Sequence, residues 1–314
     1  MRSTRSRRFE HDLLPFSDPE HLLHGATRHL SSSIESGGSG LLLCSDEVRD
    51  HVLAELGPRA PLQALDRERV QRNATAALTS LRTAARHDLA TGTPHVTVLG
   101  EVGSLEDPGE RAEWTRYEAM LDAVLGDLPV HVVCVVHDEL PVAVRRAGEQ
   151  THRHVRAGDT RRPNAAYVDP QVTLHRLAHT EPDPVEGTAP ALDVAGRPAL
   201  GPLRDAVRRV LAADRVAPSV VDDVVVAVNE LVSNVYRHAT PPARIQVWVP
   251  SDRVVVTVTD HGPGLDDPAV GYVPPGVDRM ASGGMGLWLA RQLSDRVDLL
   301  PGDGTFTVRL VRRR

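Results

Sequence analysis

The stretch TEPDPVEGTAPALDVAGRP, residues 180–198, cuts the sequence into two halves with different patterning. It is rich in proline, glycine and acidic residues and has no helical or strand period, as expected of a linker. The division this predicts is a first domain over residues 1–180, a linker over 181–198 and a second domain over 199–314. A chain of 314 residues is long enough for two cores.

Before the linker, short apolar runs alternate with helical patterns. GLLLCS (40–45), TPHVTVLG (93–100) and LPVHVVCVV (128–136) are almost wholly apolar, like strands buried on both faces. Residues 19–36, 66–87, 109–125 and 141–150 read as helices, and QALDR (63–67) fits a further short strand. That alternation predicts a doubly wound α/β domain. After the linker the order changes. Helices are expected over about 201–213 and 217–238, then strands over 243–250 and 253–260, a glycine- and proline-rich loop, a helix over 285–295, and strands over 296–301 and 305–311. Helices on one face of a mostly antiparallel sheet make an α+β sandwich.

A formal charge of -6 gives no reason to expect direct nucleic-acid binding. The basic start MRSTRSRR is short and lacks interleaved aromatics, so it reads as a solvated tail. No apolar stretch follows it as a secretion signal would require, and no run is long enough to span a bilayer. Cys44 and Cys134 sit in apolar runs and read as buried free thiols of a cytoplasmic protein, not as a disulfide or a metal site. The chain has no lysine; every basic residue counted as Lys or Arg is arginine. A Walker A loop and a eukaryotic-type protein kinase each need a lysine on the phosphates, so neither is present in standard form.

The second half carries four polar boxes in order. In NELVSNVYRHA (229–239), Glu230, Asn234 and His238 recur every fourth residue along a helix whose other side is Val224, Val225, Val228, Leu231, Val232 and Val235. TDHGPG (259–264) puts Asp260 at a strand end, directly before Gly262 and Gly264. GGMGL (283–287) opens a helix, and GDGTFTV (302–308) leads into the last strand. Singly, each is ordinary turn or cap chemistry. Together they resemble the Bergerat-fold (GHKL) ATPases, which include gyrase, histidine kinases and MutL. Within that group they are most similar to the anti-sigma-factor serine kinases of the RsbW and SpoIIAB type.

The resemblance implies ATP and Mg²⁺ as ligands. Asp260 would accept from the adenine amino group, with Gly262 and Gly264 letting the backbone pass close to the base. The long loop over residues 265–283 would act as a lid. Backbone N–H groups around Gly284, Met285, Gly286 and Leu287, at a helix start, would cradle phosphate without lysine. The resemblance assigns Asn234 to Mg²⁺, Thr305 to the adenine side, and Glu230 to taking a proton from an incoming hydroxyl. His238 lies further along the helix, either near the phosphates or as a cap at its end.

The first half has its own resemblance. FEHDLLPFSDPEHLLHGATRHLSSSIESGGSGLLLCS (9–45), VLGEVGSLEDPGERAEWTRYEAMLDAVL (98–125) and VVCVVHDELP (133–141) look like the MEDS sensory domain, itself similar to RecA/KaiC-like folds. The family-like positions are His11, Glu101, Trp114, Tyr117 and Glu118, candidates for sensing a small-molecule effector. RsbA-type regulators join such a domain to an RsbW-like kinase domain. That resemblance implies a kinase that phosphorylates an anti-anti-sigma partner of the STAS type, holds a sigma factor and forms a homodimer. Two alternatives stand beside it. One is a non-catalytic switch driven by ATP binding. The other is a sensor histidine kinase using His87 in RHDLATGTP (86–94), although a surface histidine at a helix end fits that position as well.

Overall fold

The computed structural model describes residues 9–65, 73–158, 160–178, 181–238, 242–265, 267–273 and 285–314. Two compact units divide between Thr173 and Leu174.

In the first unit, strands β1 (Glu10–Phe16), β2 (Ser39–Leu43), β3 (Leu62–Ala64), β4 (Val96–Glu101), β5 (Val130–His137), β6 (His154–Ala157) and β7 (Thr160–Pro163) form one mixed sheet in the order β3-β2-β4-β5-β1-β6-β7. All neighbours are parallel except β6 and β7. Parallel neighbours need crossovers, and helices supply them. These are α1 (Pro19–Glu35), α2 (Asp46–Leu56), α3 (Ala74–Ala90), α4 (Pro108–Leu125) and α5 (Val142–Thr151). Leu14 and Phe16 of β1 pack with Leu22, Ala26 and Leu30 of α1, whereas Leu13 packs with Val136, Val144 and Trp114. Successive β1 side chains thus serve opposite faces of the sheet.

Four elements of this unit, β1, α2 and the β6–β7 hairpin, fall outside the sequence expectations. Strand β1 sits between β5 and β6, yet its sequence EHDLLPF is broken by charge and proline. It stays buried because its polar groups find partners. Asp12, 0% exposed, accepts from Arg156 Nε at 2.6 Å and Arg161 Nε at 2.9 Å, with His131 Nε2 at 3.1 Å. Burial works against its charge, but those hydrogen bonds outweigh it and hold the carboxyl well below the usual carboxylate range. Helix α2, DEVRDHVLAEL, buries only Val48 and Val52 and is started by Ser45, whose side chain accepts from the Val48 amide. The hairpin partner β7 is wholly exposed and carries no apolar period.

The second unit holds β8 (Leu192–Gly196), β9 (Ala243–Trp248), β10 (Arg253–Asp260), β11 (Arg296–Pro301) and β12 (Phe306–Arg313), in the order β11-β12-β10-β9-β8 and antiparallel throughout. Its helices, numbered after α6 (Pro170–Ala178), are α7 (Leu200–Ala213), α8 (Pro218–His238) and α9 (Met285–Leu293). They meet one face of the sheet, where Val207, Val228, Val232, Ile245, Val256 and Leu310 share a core. All six apolar residues expected on the buried side of α8 are buried.

The stretch expected to be a linker is partly built into this unit. β8 pairs with β9, and Val185 packs on Trp248, Val255 and Val311 on the sheet face away from the helices. The physical reason is that the antiparallel sheet has a second face to cover. Trp248 Nε1 donates to the Thr188 carbonyl at 3.1 Å. Arg309, 1% exposed, donates to Asp298 and Glu186, and Arg253 donates to Asp183.

Candidate functional site

Helix α8 carries its polar stripe toward a cleft between the helices and the sheet. Glu230 and Asn234 are half-buried and His238 is exposed. The start of α9 comes against them closely. A Cβ on Gly286 would lie 2.9 Å from Asn234 Nδ2, 3.0 Å from Asn234 Oδ1 and 3.1 Å from Glu230 Oε2. Only the absence of a side chain lets this backbone pass so near the amide and the carboxylate.

The opposite wall is the end of β10. Asp260 is buried, and its Oδ1 accepts from the Gly262 amide at 2.6 Å, leaving further acceptor capacity on the carboxylate. Gly264 takes φ +80°, and a Cβ there would fall 2.6 Å from the Phe306 ring. Asn234, His238, Asp260, Gly264, Leu287 and Phe306 all line one cleft, with apolar walls from Leu231, Val235, Val258 and Val308. An apolar slot with a few convergent polar groups is the usual form of a small-molecule site.

Of the residues read from the boxes, the structure brings Glu230, Asn234, His238, Asp260, Gly264, Gly286 and Leu287 together. Gly262 supports Asp260 from behind. Met285 opens α9 and is half-buried. Thr305 stands in the turn before β12, where its carbonyl accepts from the Gly302 amide at 2.8 Å, and it does not line the cleft. Gly284 and most of the expected lid lie outside the described residues. Phe306 was not singled out in the sequence; only its register opposite Asp260 shows its role as a wall.

The first unit joins two of its five candidate residues directly. His11 Nε2 lies 3.0 Å from Glu118 Oε2, both buried. Burial lowers the His11 pKa to about 4, so at neutral pH this is a contact of a neutral imidazole and not an ion pair. Trp114 turns its indole toward the same carboxylate, and Tyr117 is buried beside it. Glu101 is elsewhere: it accepts from the Ser45 amide at 2.6 Å and so braces the loop that starts α2. His152, which the sequence does not single out, and Cys134, which reads there only as a buried free thiol, complete the buried group. His87 is exposed in the last turn of α3, a helix of the α/β unit rather than of a separate hairpin.

An antiparallel sheet covered on one face by helices, with an acid and an amide on the long helix facing Gly286 in the first turn of another helix and a strand-end aspartate, defines a GHKL-type ATPase fold. Residues 195–312 match the family described as the histidine kinase-like ATPase domain, and residues 10–155 match MEDS, the methanogen/methylotroph, DcmR sensory domain. The chain therefore joins a MEDS domain to a histidine kinase-like ATPase domain.

Among solved structures, the chain is similar to the RsbU and RsbW domains of Rv1364c from Mycobacterium tuberculosis, at 21% identity and a TM-score of 0.30 over 40% of this chain and 32% of that one. It is also similar to the SiaB–SiaC complex from Pseudomonas aeruginosa, at 18% identity and a TM-score of 0.31 over 40% of this chain and 93% of that one. Thus the chain spans about a third of the first of these, and likenesses this distant say nothing about activity. No curated protein matches the chain. Among the described residues, no helix is long and apolar enough to cross a membrane.

Proposed function

We propose that the second domain binds ATP with Mg²⁺ and transfers phosphate to a serine or threonine of an anti-anti-sigma partner of the STAS type, under control of the MEDS domain. The carrying observation is the close approach of the Gly286 backbone to Glu230 and Asn234, with Asp260 on the facing wall of the same cleft. The residues fit the ligands. Asp260 can accept from the adenine amino group, Phe306 and Val258 can flank the base, and the amides at the start of α9 can meet phosphate. Asn234 offers the oxygen that would hold Mg²⁺, which when bound neutralises charge on the phosphates.

Glu230, one turn before Asn234, is read as taking the proton of the partner's hydroxyl as its oxygen bonds to the terminal phosphorus and ADP leaves. His238, at the exposed helix end, is read as a phosphate-side group. Thr305 is read as acting on the adenine side through the turn it closes. The first domain is read as RecA/KaiC-like and doubly wound, supported by the parallel part of its mixed sheet, with apolar clusters on both faces. Binding of a sigma factor, a homodimeric state, a cytoplasmic location and an effector at the MEDS domain belong to the same reading.

Incubation with labelled ATP and candidate STAS-domain proteins tests it. Transfer to serine or threonine is expected, and Glu230→Gln should abolish it while nucleotide still binds. A nucleotide-bound protein that transfers nothing, or a Glu230→Gln variant that transfers as well as the parent, removes the kinase. Partner exchange that survives Glu230→Gln but not Asp260→Asn would instead make ATP binding alone the switch.

A further inference from the structure

Four buried side chains of metal-ligand type converge inside the first unit from four separate elements. His11 comes from β1, Glu118 from α4, Cys134 from β5 and His152 from the residue that follows α5. They are 5%, 2%, 2% and 0% exposed. One donor atom from each lies within 4.8 Å of all the others.

The separate distances describe a polyhedron. His11 Nε2 is 3.0 Å and His152 Nε2 is 3.4 Å from Glu118 Oε2. Cys134 Sγ is 3.4 Å from Glu118 Oε2 and 3.6 Å from His11 Nε2. A cation held tetrahedrally by nitrogen and oxygen at about 2.0–2.2 Å and by sulfur at about 2.3 Å sets its ligand atoms about 3.3–3.6 Å apart. The cluster needs only small side-chain adjustments to reach that geometry.

Hydrogen bonding within the protein leaves the cluster incomplete. His152 Nδ1 lies 2.7 Å from the Gly148 carbonyl oxygen, so Nδ1 carries the proton and donates it there. Nε2 then points a lone pair into the cluster, where it makes no hydrogen bond although it is fully buried. An imidazole whose other nitrogen donates to a backbone carbonyl is the usual arrangement of a metal-bound histidine. Asp122 Oδ1, 3.9 Å from His11 Nδ1, occupies the corresponding outer position for the second imidazole.

Charge points the same way. With a carboxylate, a thiolate and two neutral imidazoles, one divalent cation brings the buried sum to zero.

We propose that His11, Glu118, Cys134 and His152 are the four ligands of a buried site for a borderline divalent transition metal, with zinc the best match to a mixed nitrogen, sulfur and oxygen set. All four positions come from protein, so the ion fixes structure or is itself sensed rather than activating a substrate. The site stands independently of ATP binding. It also changes the standing of Cys134, which in sequence reads as an unliganded thiol.

The test uses the full chain expressed in zinc-supplemented medium and purified without chelator. Elemental analysis should find one zinc per chain. Cobalt(II) exchanged into the same site should show a thiolate-to-cobalt charge-transfer band with intense tetrahedral visible bands. Cys134→Ser should remove the charge-transfer band, His152→Ala should lose the bound metal, and Cys44→Ser, a buried thiol outside the cluster, should change neither. The cobalt spectrum of the unaltered chain needs no variant to fold. Absence of stoichiometric metal, a cobalt adduct without the thiolate band, or full zinc retention in both Cys134→Ser and His152→Ala would overturn the proposal.

Discussion

Asp260 and Phe306 are register partners across β10 and β12, and the Phe306 ring occupies the space that a side chain on Gly264 would need. The acid, the aromatic wall and the glycine therefore form one unit, set by the ladder and by a left-handed residue. Gly264→Ala should cost about 1–3 kcal/mol of stability from backbone strain alone. It should also weaken adenine nucleotide binding, since the ring must move. Chemical denaturation and calorimetric titration with ATP would check both.

Asp260→Asn separates support from recognition. An amide oxygen can still accept from the Gly262 amide, so the loop should hold. The adenine amino group would meet an acceptor of lower charge, or an N–H that repels it. ATP affinity is expected to fall about 10- to 100-fold, the equivalent of about 1.4–2.8 kcal/mol. Unchanged affinity would place adenine elsewhere.

Gly286→Ala should move stability and binding in opposite directions. Alanine is favoured over glycine within a helix by up to about 1 kcal/mol, so the melting temperature should hold or rise. The new methyl group would displace the Asn234 amide and press on Glu230. Magnesium-dependent ATP binding should weaken by about tenfold or more. A variant that is both more stable and equally tight would count against the geometry proposed for Asn234.

The second sheet face gives two stability predictions. Arg309 and Asp298 are 1% and 0% exposed as side chains, and removing one leaves the other a buried charge with a single ion-pair partner, Glu186 for Arg309 or Arg296 for Asp298. Asp298→Ala or Arg309→Ala should destabilise the domain by about 3–5 kcal/mol, measured by urea unfolding.

Asp183 gives the pH dependence. Burial raises its pKa, but the hydrogen bonds from Arg253 and the Val185 amide outweigh that and leave the carboxyl below its usual value. A depressed carboxyl contributes stability that is fully present above the unfolded pKa of about 3.9 and is lost as pH falls through the folded value. Asp183→Asn should therefore lower stability at neutral pH and flatten its decline below about pH 4. A parallel decline in both proteins would show that Asp183 carries no such linkage.

What could be read from sequence was whatever lies close together in the chain. The α8 stripe, the strand-end aspartate and Gly286 at the α9 start are local spacings, and the fold brings them to one cleft. β1 was hidden because its buried face is partly polar; His11 and Asp12 are tolerated only through partners more than a hundred residues away. β8 alternates weakly, with no residue fully buried, so its proline- and glycine-rich surroundings outweighed its period. Phe306 required the β10–β12 register. Cys134 and His152 gave no local sign at all, because their neighbours come from other strands and helices.

The docking of residues 181–196 onto the second sheet has a practical corollary for cutting the chain. A fragment begun at residue 199, just past the proline-rich stretch, would strip β9 of its outer neighbour and uncover Trp248, Val255 and Val311. It would offer an unprotected ladder edge beside a bare apolar surface, the combination that drives strand-to-strand self-association. A fragment of the second domain should instead begin ahead of Asp183, so that the acidic claw on Arg253 and Arg309 travels with it.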